Sequence, residues 1–285
     1  MKNTIQNLVN EAQKILSSSG VKNSRFESTL ITQKTLNKSL LDLFKNPHQC
    51  ISKIQKKNVL NFISERAKGK PISKIFGVKE FFSNEFIVNQ DVLDPRPETE
   101  LLVEISVKQC IDLRKKSVSI LDLGVGSGCL IISILKELSN INFSATGVDF
   151  SDKAIMIAKQ NVKKFKLEKT LKIKKSNWFS KIDKKFDIIV CNPPYIPTFE
   201  INALDKGVKI YDPFISLDGG DSGLKAYKEI SKKAKLFLND FGIILFEIGF
   251  GQLNLVKKIF KDEGFKTFLE EKDLQGINRV VGFIL

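Results

Sequence analysis

The sequence predicts an α/β protein in which a small helical bundle precedes a doubly wound, mostly parallel sheet of seven strands. Three observations carry this prediction. Apolar residues recur at helical spacing from residue 1 to about 75, short apolar runs alternate with amphipathic stretches after Pro97, and the first of those runs ends in a glycine-rich loop that leads straight into a helical pattern. At 285 residues, with 42% hydrophobic and 27% charged side chains, the chain has material for two ordinary domains and is neither disordered nor fibrous.

The bundle, residues 1–75, is read from Ile5, Leu8, Val9, Ala12, Ile15 and Leu16, and again from Ile54, Val59, Leu60, Phe62 and Ile63. Helix breaks fall at 17–20 (SSSG), Asn46-Pro47 and Gly69-Lys70-Pro71, which offer caps or deny a backbone donor. The bundle carries no evident chemistry. Residues 76–95 read as a linker, in which Ile75-Phe76-Gly77 and 85–88 flank Ser83-Asn84 as a β-hairpin. Within 96–285 the expected strands are 119–123, 144–149, 172–174, 187–191, 242–247, 265–269 and 279–285. Strands alternating with helices make a parallel sheet covered on both faces, and such sheets bind ligands at their carboxyl edge. The last two strands, close together, are expected as a reversed hairpin.

Lysine and arginine total 46 against 32 acidic residues, a net +14 that suits a polyanionic partner. Only five are arginines (Arg25, Arg66, Arg96, Arg114, Arg279), the residue whose planar fork reads phosphate and guanine. Lysine rises here together with Asn, Ile and Phe, so compositional bias accounts for the charge at least as well. Cys50, Cys110, Cys129 and Cys191 match no zinc or CxxC spacing and are expected as reduced core thiols. The single histidine, His48, in the loop-like NPHQ, sets aside a histidine triad or multi-histidine site, and no metal is expected. The stretch MKNTIQNLVNEAQKIL interrupts its apolar residues every turn, unlike a signal peptide or a membrane span, so a cytoplasmic protein is expected.

The residues that carry chemistry fall at the carboxyl edge of the predicted sheet. Gly124-Val125-Gly126-Ser127-Gly128 joins the strand SILDL to the helix CLIISILKEL. Glycines there permit a tight turn and let a ligand approach bare backbone, although a turn alone also explains them. Cys129 stands where a dinucleotide fingerprint has its third glycine, which argues against NAD. Asp149, 25 positions after Gly124, is placed to accept both hydroxyls of a ribose; a solvated helix cap is the plainer role. Loop and carboxylate together are typical of sites for S-adenosylmethionine. Trp178, the sole tryptophan, can cover an adenine, and Asn177 can accept from its amino group, with core packing an equal account of Trp178.

The fourth strand runs into Asn192-Pro193-Pro194-Tyr195. Two prolines lack backbone donors and hold φ, so the turn is rigid and its carbonyls point outward. An amide or exocyclic amino nitrogen is a poor nucleophile because its lone pair is delocalised. Accepting both its hydrogens, on the Asn192 side-chain oxygen and the Pro193 carbonyl, orients it and favours a pyramidal geometry, with Tyr195 as an apolar wall.

In this setting NPPY resembles the amino-methyltransferases that act on planar nitrogen. The match narrows with Arg66-Ala67-Lys68-Gly69-Lys70-Pro71, Gly77-Val78-Lys79-Glu80-Phe81-Phe82 and Asp94-Pro95-Arg96-Pro97-Glu98-Thr99-Glu100. It extends to 211–220, Gly223-Leu224, Phe246-Glu247-Ile248-Gly249 and Gln252. Over essentially its whole length the chain resembles the protein-(glutamine-N5) methyltransferases that modify peptide chain release factors. That resemblance implies a Rossmann-like class I methyltransferase domain dependent on S-adenosyl-L-methionine, behind a helical domain that recognises the substrate. The implied target is the glutamine in the GGQ motif of class I release factors, with an effect on translation termination. Gly124, Val125, Gly126, Ser127, Gly128, Asp149, Trp178 and Asn192 are then expected to bind the cofactor. Asn192, Pro193, Pro194 and Tyr195 are expected to hold the glutamine, with Asn192, Pro193 and Tyr195 catalytic.

The sequence departs from the family pattern at Asn177, where aspartate is frequent, at Asp212, where glutamate is commoner, and at Asp94, where an apolar residue is usual. For Arg96, Glu98 and Glu100 the sequence suggests only a salt-bridged interdomain hinge. A monomer with no membrane attachment and no stable nucleic-acid complex is expected. A nucleic-acid methyltransferase acting on adenine N6 or guanine N2 would share NPPY and suit the charge, but no segment interleaves arginines with aromatics to read bases. A binding protein without catalysis is disfavoured by the intact acceptor motif. If the charge has a role, it is steering toward an acidic release factor.

Overall fold

Helical spacing in the first third of the chain becomes α1 (Ile5–Ser18), α2 (Ser24–Leu36), α3 (Leu40–Lys45), α4 (Lys53–Ala67) and α5 (Ile72–Phe76). The computed structural model describes residues 3–138 and 142–285. Its chain divides into two units, Met1–Phe76 and Gly77–Leu285. Ser39 and Ser52 open α3 and α4 through reciprocal capping boxes with Asp42 and Gln55. Ile5, Leu8, Val9, Ala12, Leu16, Ile31, Val59 and Ile63 form the core of the first unit. Ile54 does not join it, because the first turn of α4 leaves it 72% exposed.

Helix α5 replaces the extended segment expected at 75–77. The Ile75 N–H donates to the Pro71 carbonyl, and Gly77, at φ +72°, ends the helix in the left-handed conformation. The hairpin is instead β1 (Val78–Phe81) paired with β2 (Asn84–Ile87). Phe82 and Ser83 between them both have positive φ, as a two-residue turn with the twist of a hairpin requires. The hairpin falls within the second unit, where the buried Asn161 side chain accepts from the Ile87 N–H and donates to the Ile87 carbonyl.

The remaining elements are α6 (Glu100–Asp112), β3 (Ser117–Leu123), α7 (Cys129–Glu137), β4 (Asn142–Asp149), α8 (Asp152–Lys164), β5 (Leu171–Lys175), β6 (Phe186–Cys191), α9 (Lys206–Tyr211), α10 (Lys225–Ala234), β7 (Leu238–Glu247), α11 (Leu253–Asp262), β8 (Lys266–Lys272) and β9 (Asn278–Ile284). Among the described residues these strands form one sheet of seven in the order β5-β4-β3-β6-β7-β9-β8. The ladders from β5 to β7 are parallel, and β9 runs antiparallel to both β7 and β8. This is a Rossmann-like sheet with one reversed strand. All six residues of β6, at its centre, are buried, as a strand covered on both faces requires.

Strand β7 starts before the apolar run that announced it, because Phe241 at φ +62° and a register shift opposite Phe186 and Ile188 mark a bulge in its polar first half. Cys110 and Cys191 are buried as expected of core thiols, but Cys50 is exposed, in a bridge to Thr4 at the bundle surface. Among the described residues no helix is long and apolar enough to cross a membrane.

Candidate active site

The chain moves outward from β3 to β4 and β5, then returns on the other side of β3 as β6. The carboxyl ends of β3 and β6 therefore flank the switch point, where open α/β sheets leave a crevice. A cavity of about 340 Å³ lies there, lined by Gly124, Gly126, Asp149, Asn177, Trp178, Asn192 and Pro194 together with residues of the 213–229 stretch. That volume is in the range of small-ligand sites.

The glycine loop is pinned by its neighbour strand. The Gly124 and Val125 amides both donate to the Val148 carbonyl at 2.9 Å, and the Gly126 amide donates to Asp149 Oδ2 at 3.0 Å. Asp149 Oδ1 accepts the Ser151 amide at 2.9 Å, so the carboxylate bridges loop and helix α8 and keeps lone pairs for a ligand. Val125, Ser127 and Gly128 do not line the cavity. Val125 packs into the space that Gly147 leaves, where a Cβ would meet its Cγ2 at 2.7 Å. The Ser127 carbonyl is held from below by Asn161 Nδ2 at 2.8 Å, and Gly128, at φ +83°, starts α7. These three shape the loop.

Burial raises the carboxyl of Asp149 above its usual range. Burial and the neighbouring Asp149 charge push Asp122, at the end of β3, up to about 8, and its Oδ2 has no hydrogen-bond partner among the described residues. Burial also pushes the Cys129 thiol up to about 12.

Trp178 takes a left-handed φ of +47°, uncommon for an aromatic residue. Its carbonyl accepts from Ser176 Oγ at 2.7 Å and its indole N–H donates to Glu229 Oε2 at 2.8 Å, which fixes the ring over the cavity near Gly124. It is therefore a wall of the cavity as well as a neighbour of the core.

Asn192 and Pro194 line the cavity; Pro193 and Tyr195 do not. Asn192 Nδ2 donates to Thr99 Oγ1 at 3.0 Å, Thr99 Oγ1 donates to Glu247 Oε2 at 2.6 Å, and the Tyr195 hydroxyl donates to Glu247 Oε1 at 3.1 Å. Tyr195 is thus a hydrogen-bonding strut, and burial together with the Glu247 carboxylate pushes its phenol up. Gln252 clamps the turn: its Nε2 donates to the Tyr195 carbonyl at 2.9 Å while its Oε1 accepts the Gly249 amide at 3.0 Å. Among the described residues no donor reaches Asn192 Oδ1 or the Pro193 carbonyl.

Thr99, Glu247 and Gln252 stand in motifs visible in the sequence, but their partners are far apart along the chain and only the fold joins them. Arg96 Nη2 pairs with Asp212 Oδ2 at 2.6 Å, within the second unit, ahead of Pro213 at the cavity wall. Glu100 Oε1 accepts the Phe82 amide at 2.8 Å and so ties α6 to the hairpin.

The family model described as PrmC N-terminal domain matches residues 7–77, and that described as Methyltransferase small domain matches residues 87–204. A bifunctional methyltransferase of Rickettsia bellii is 38% identical over 99% of this chain but 55% of its own length, so the chain spans little more than half of that relative. Among solved structures, the catalytic domain of hMettl16 in complex with MAT2A 3′UTR hairpin 6 is similar with a TM-score of 0.55, at 17% identity over 84% of each chain, a likeness of fold. A release factor glutamine methyltransferase of Agrobacterium fabrum is 36% identical over 95% of this chain and 94% of its own. Identity at that level along nearly the whole of both chains settles the kinship: this protein belongs to the release factor glutamine methyltransferase family.

Proposed function

We propose that the protein is an enzyme that methylates the N5 amide nitrogen of the glutamine in the GGQ motif of class I peptide chain release factors, with S-adenosyl-L-methionine as donor. The observation that carries the reading is the Asn192 carboxamide, whose nitrogen is committed to Thr99 while it lines a nucleoside-sized cavity beside the glycine loop. The names and coverage of the release factor methyltransferase relatives support the same substrate.

The donor, when bound, supplies a methyl group activated by positive sulfur. Gly124 and Gly126 let it approach bare backbone, Asp149 accepts from its ribose, and Trp178 covers its base. Asn192 Oδ1 and the Pro193 carbonyl accept the two hydrogens of the glutamine amide, hold its nitrogen at near-attack distance and stabilise the positive charge it gains. Pro194 and Tyr195 keep the turn rigid. No residue has to remove a proton before attack.

Residues 1–75 recognise the release factor, 76–95 link, and 96–285 carry the transfer. Phe199, Ile210, Phe214 and Ile215, exposed on the excursion that also walls the cavity, supply apolar surface of the kind a protein partner covers. The enzyme is assigned to the cytoplasm, as a monomer without a stable nucleic-acid complex.

The test is mass spectrometry of the GGQ peptide after incubation of a release factor with enzyme and donor, beside RNA and DNA as acceptors. Methylation of the glutamine by wild type, with at least 100-fold slower turnover in Asn192→Ala, is the expected result. Transfer to nucleic acid alone overturns the reading.

A further inference from the structure

An asparagine side chain has the same shape in either of its two flipped orientations, but the flip exchanges an acceptor for a donor. The reaction proposed above needs the oxygen of Asn192 to face the glutamine, because an NH₂ group there would meet the hydrogens of another amide donor to donor. Something must set the orientation.

Residues from three separate segments converge on this amide. Thr99 ends the turn before α6, Glu247 ends β7, and Asn192 follows β6; the pairing of Cys191 with Phe246 brings Asn192 and Glu247 side by side at the sheet edge. Thr99 and Glu247 are 3% and 1% exposed. A threonine hydroxyl has one hydrogen. An ionised carboxylate has none to give, so the short 2.6 Å contact between Thr99 Oγ1 and Glu247 Oε2 takes the threonine hydrogen. Thr99 Oγ1 is then able only to accept, and what faces it at 3.0 Å must be the nitrogen of Asn192. The Tyr195 hydroxyl donates to the other Glu247 oxygen at 3.1 Å; burial raises the Glu247 carboxyl above its usual range, and the hydrogen bonds from Thr99 and Tyr195, then the charge of Arg279, oppose that rise.

We propose that Thr99 and Glu247 are positioning residues of the methyl transfer: Glu247 polarises the chain of hydrogen bonds, and Thr99 holds the Asn192 amide with its oxygen toward the acceptor. Neither touches the substrate. This rests on the function proposed above, and its test separates the two.

Thr99→Val keeps the shape and removes the acceptor, while Thr99→Ser restores it. Thr99→Val is expected to lower kcat toward the release factor by about 10- to 100-fold, with donor affinity within about twofold of wild type, and Thr99→Ser to recover kcat to within about threefold. In the Asn192→Ala background Thr99→Val is expected to cost nothing more, since it acts through an amide that is gone. Glu247→Gln, able to donate as well as accept, is expected to lower kcat at least fivefold. The Asn192 side-chain NH₂ resonances, assigned by their loss in Asn192→Ala, are expected to shift in Thr99→Val in the absence of any acceptor.

Additive losses in the double variant, donor affinity falling in step with kcat, or NH₂ resonances unmoved by Thr99→Val each overturn the positioning role. A Glu247→Gln enzyme with more than half of wild-type kcat removes Glu247 from it. Wild-type enzyme that leaves the GGQ glutamine unmethylated overturns the functional reading instead, and the resonance shift then still decides whether Thr99 holds Asn192.

Discussion

Gly223→Ala tests whether the loop before α10 holds the NPPY turn in place. Gly223 has a φ of +72°, and a Cβ there would lie 2.4 Å from the Tyr195 carbonyl oxygen and 2.6 Å from Gln252 Nε2. Ordinary contact begins at 3.4 Å, so turn or loop must shift by 1.0 Å, the difference between 3.4 and 2.4 Å. Left-handed alanine alone costs about 1 kcal/mol. The shift also breaks the 2.9 Å bond from Gln252 to the Tyr195 carbonyl. Leaving such buried groups unpaired costs about 1–3 kcal/mol more. The sum, about 2–4 kcal/mol, corresponds to a fall in Tm of roughly 4–16 °C for a unit of this size. A 1 Å displacement beside the reacting amide is expected to lower kcat by about 100-fold. Gly276→Ala is the control: its φ is +79°, and a Cβ there meets nothing within 4 Å. It carries the backbone cost alone, with turnover intact. Thermal denaturation and methyl-transfer kinetics on the full chain read both. If Gly223→Ala melts together with Gly276→Ala and keeps kcat within about twofold, the clamp on the turn is not what positions it.

Asp149→Ala removes the acceptor of the Gly126 and Ser151 amides; calorimetric donor affinity is expected to fall about 30- to 100-fold, with kcat at saturation changed less than threefold, and an affinity within twofold of wild type contradicts this. Because Trp178 is the only tryptophan and lines the cavity, S-adenosylhomocysteine is expected to change its emission, and an unchanged spectrum at saturation places the ligand elsewhere. The third concerns pH. Asp122, held up to about 8 by burial and by Asp149, is protonated in the fold at neutral pH and ionised in the unfolded chain. Its contribution to stability is fully present below the usual carboxylate range and is lost as pH rises through about 8. Between pH 5 and 9 the Tm of wild type should therefore fall relative to Asp122→Asn, which cannot ionise, whereas parallel curves rule the account out.

What the sequence made legible was whatever is written in local pattern. β6 reads as a strand because all six of its residues are buried, and the glycines at 124, 126 and 128 read as a turn because each has a positive φ. Local pattern failed where local preference was overridden. The polar start of β7 concealed a bulged strand, and the apolar residues after Pro71 were as compatible with a strand as with the short helix they form. The inner workings of the site were invisible for another reason. Thr99 and Glu247 lie 148 positions apart, Asn192 and Thr99 93 apart, and Arg96 and Asp212 116 apart. No periodicity encodes bonds of that separation, so the motifs are visible in the sequence while the roles of their residues are not.

The buried Asn161 side chain has a consequence beyond its three bonds. It completes the backbone of Ile87 in the hairpin as a neighbouring strand would, and with the same amide it holds the Ser127 carbonyl of the glycine loop. One side-chain amide thus links two segments 40 positions apart (127 minus 87): local unfolding that frees the hairpin edge is expected to free the floor of the loop as well, with amide hydrogen exchange in both rising together.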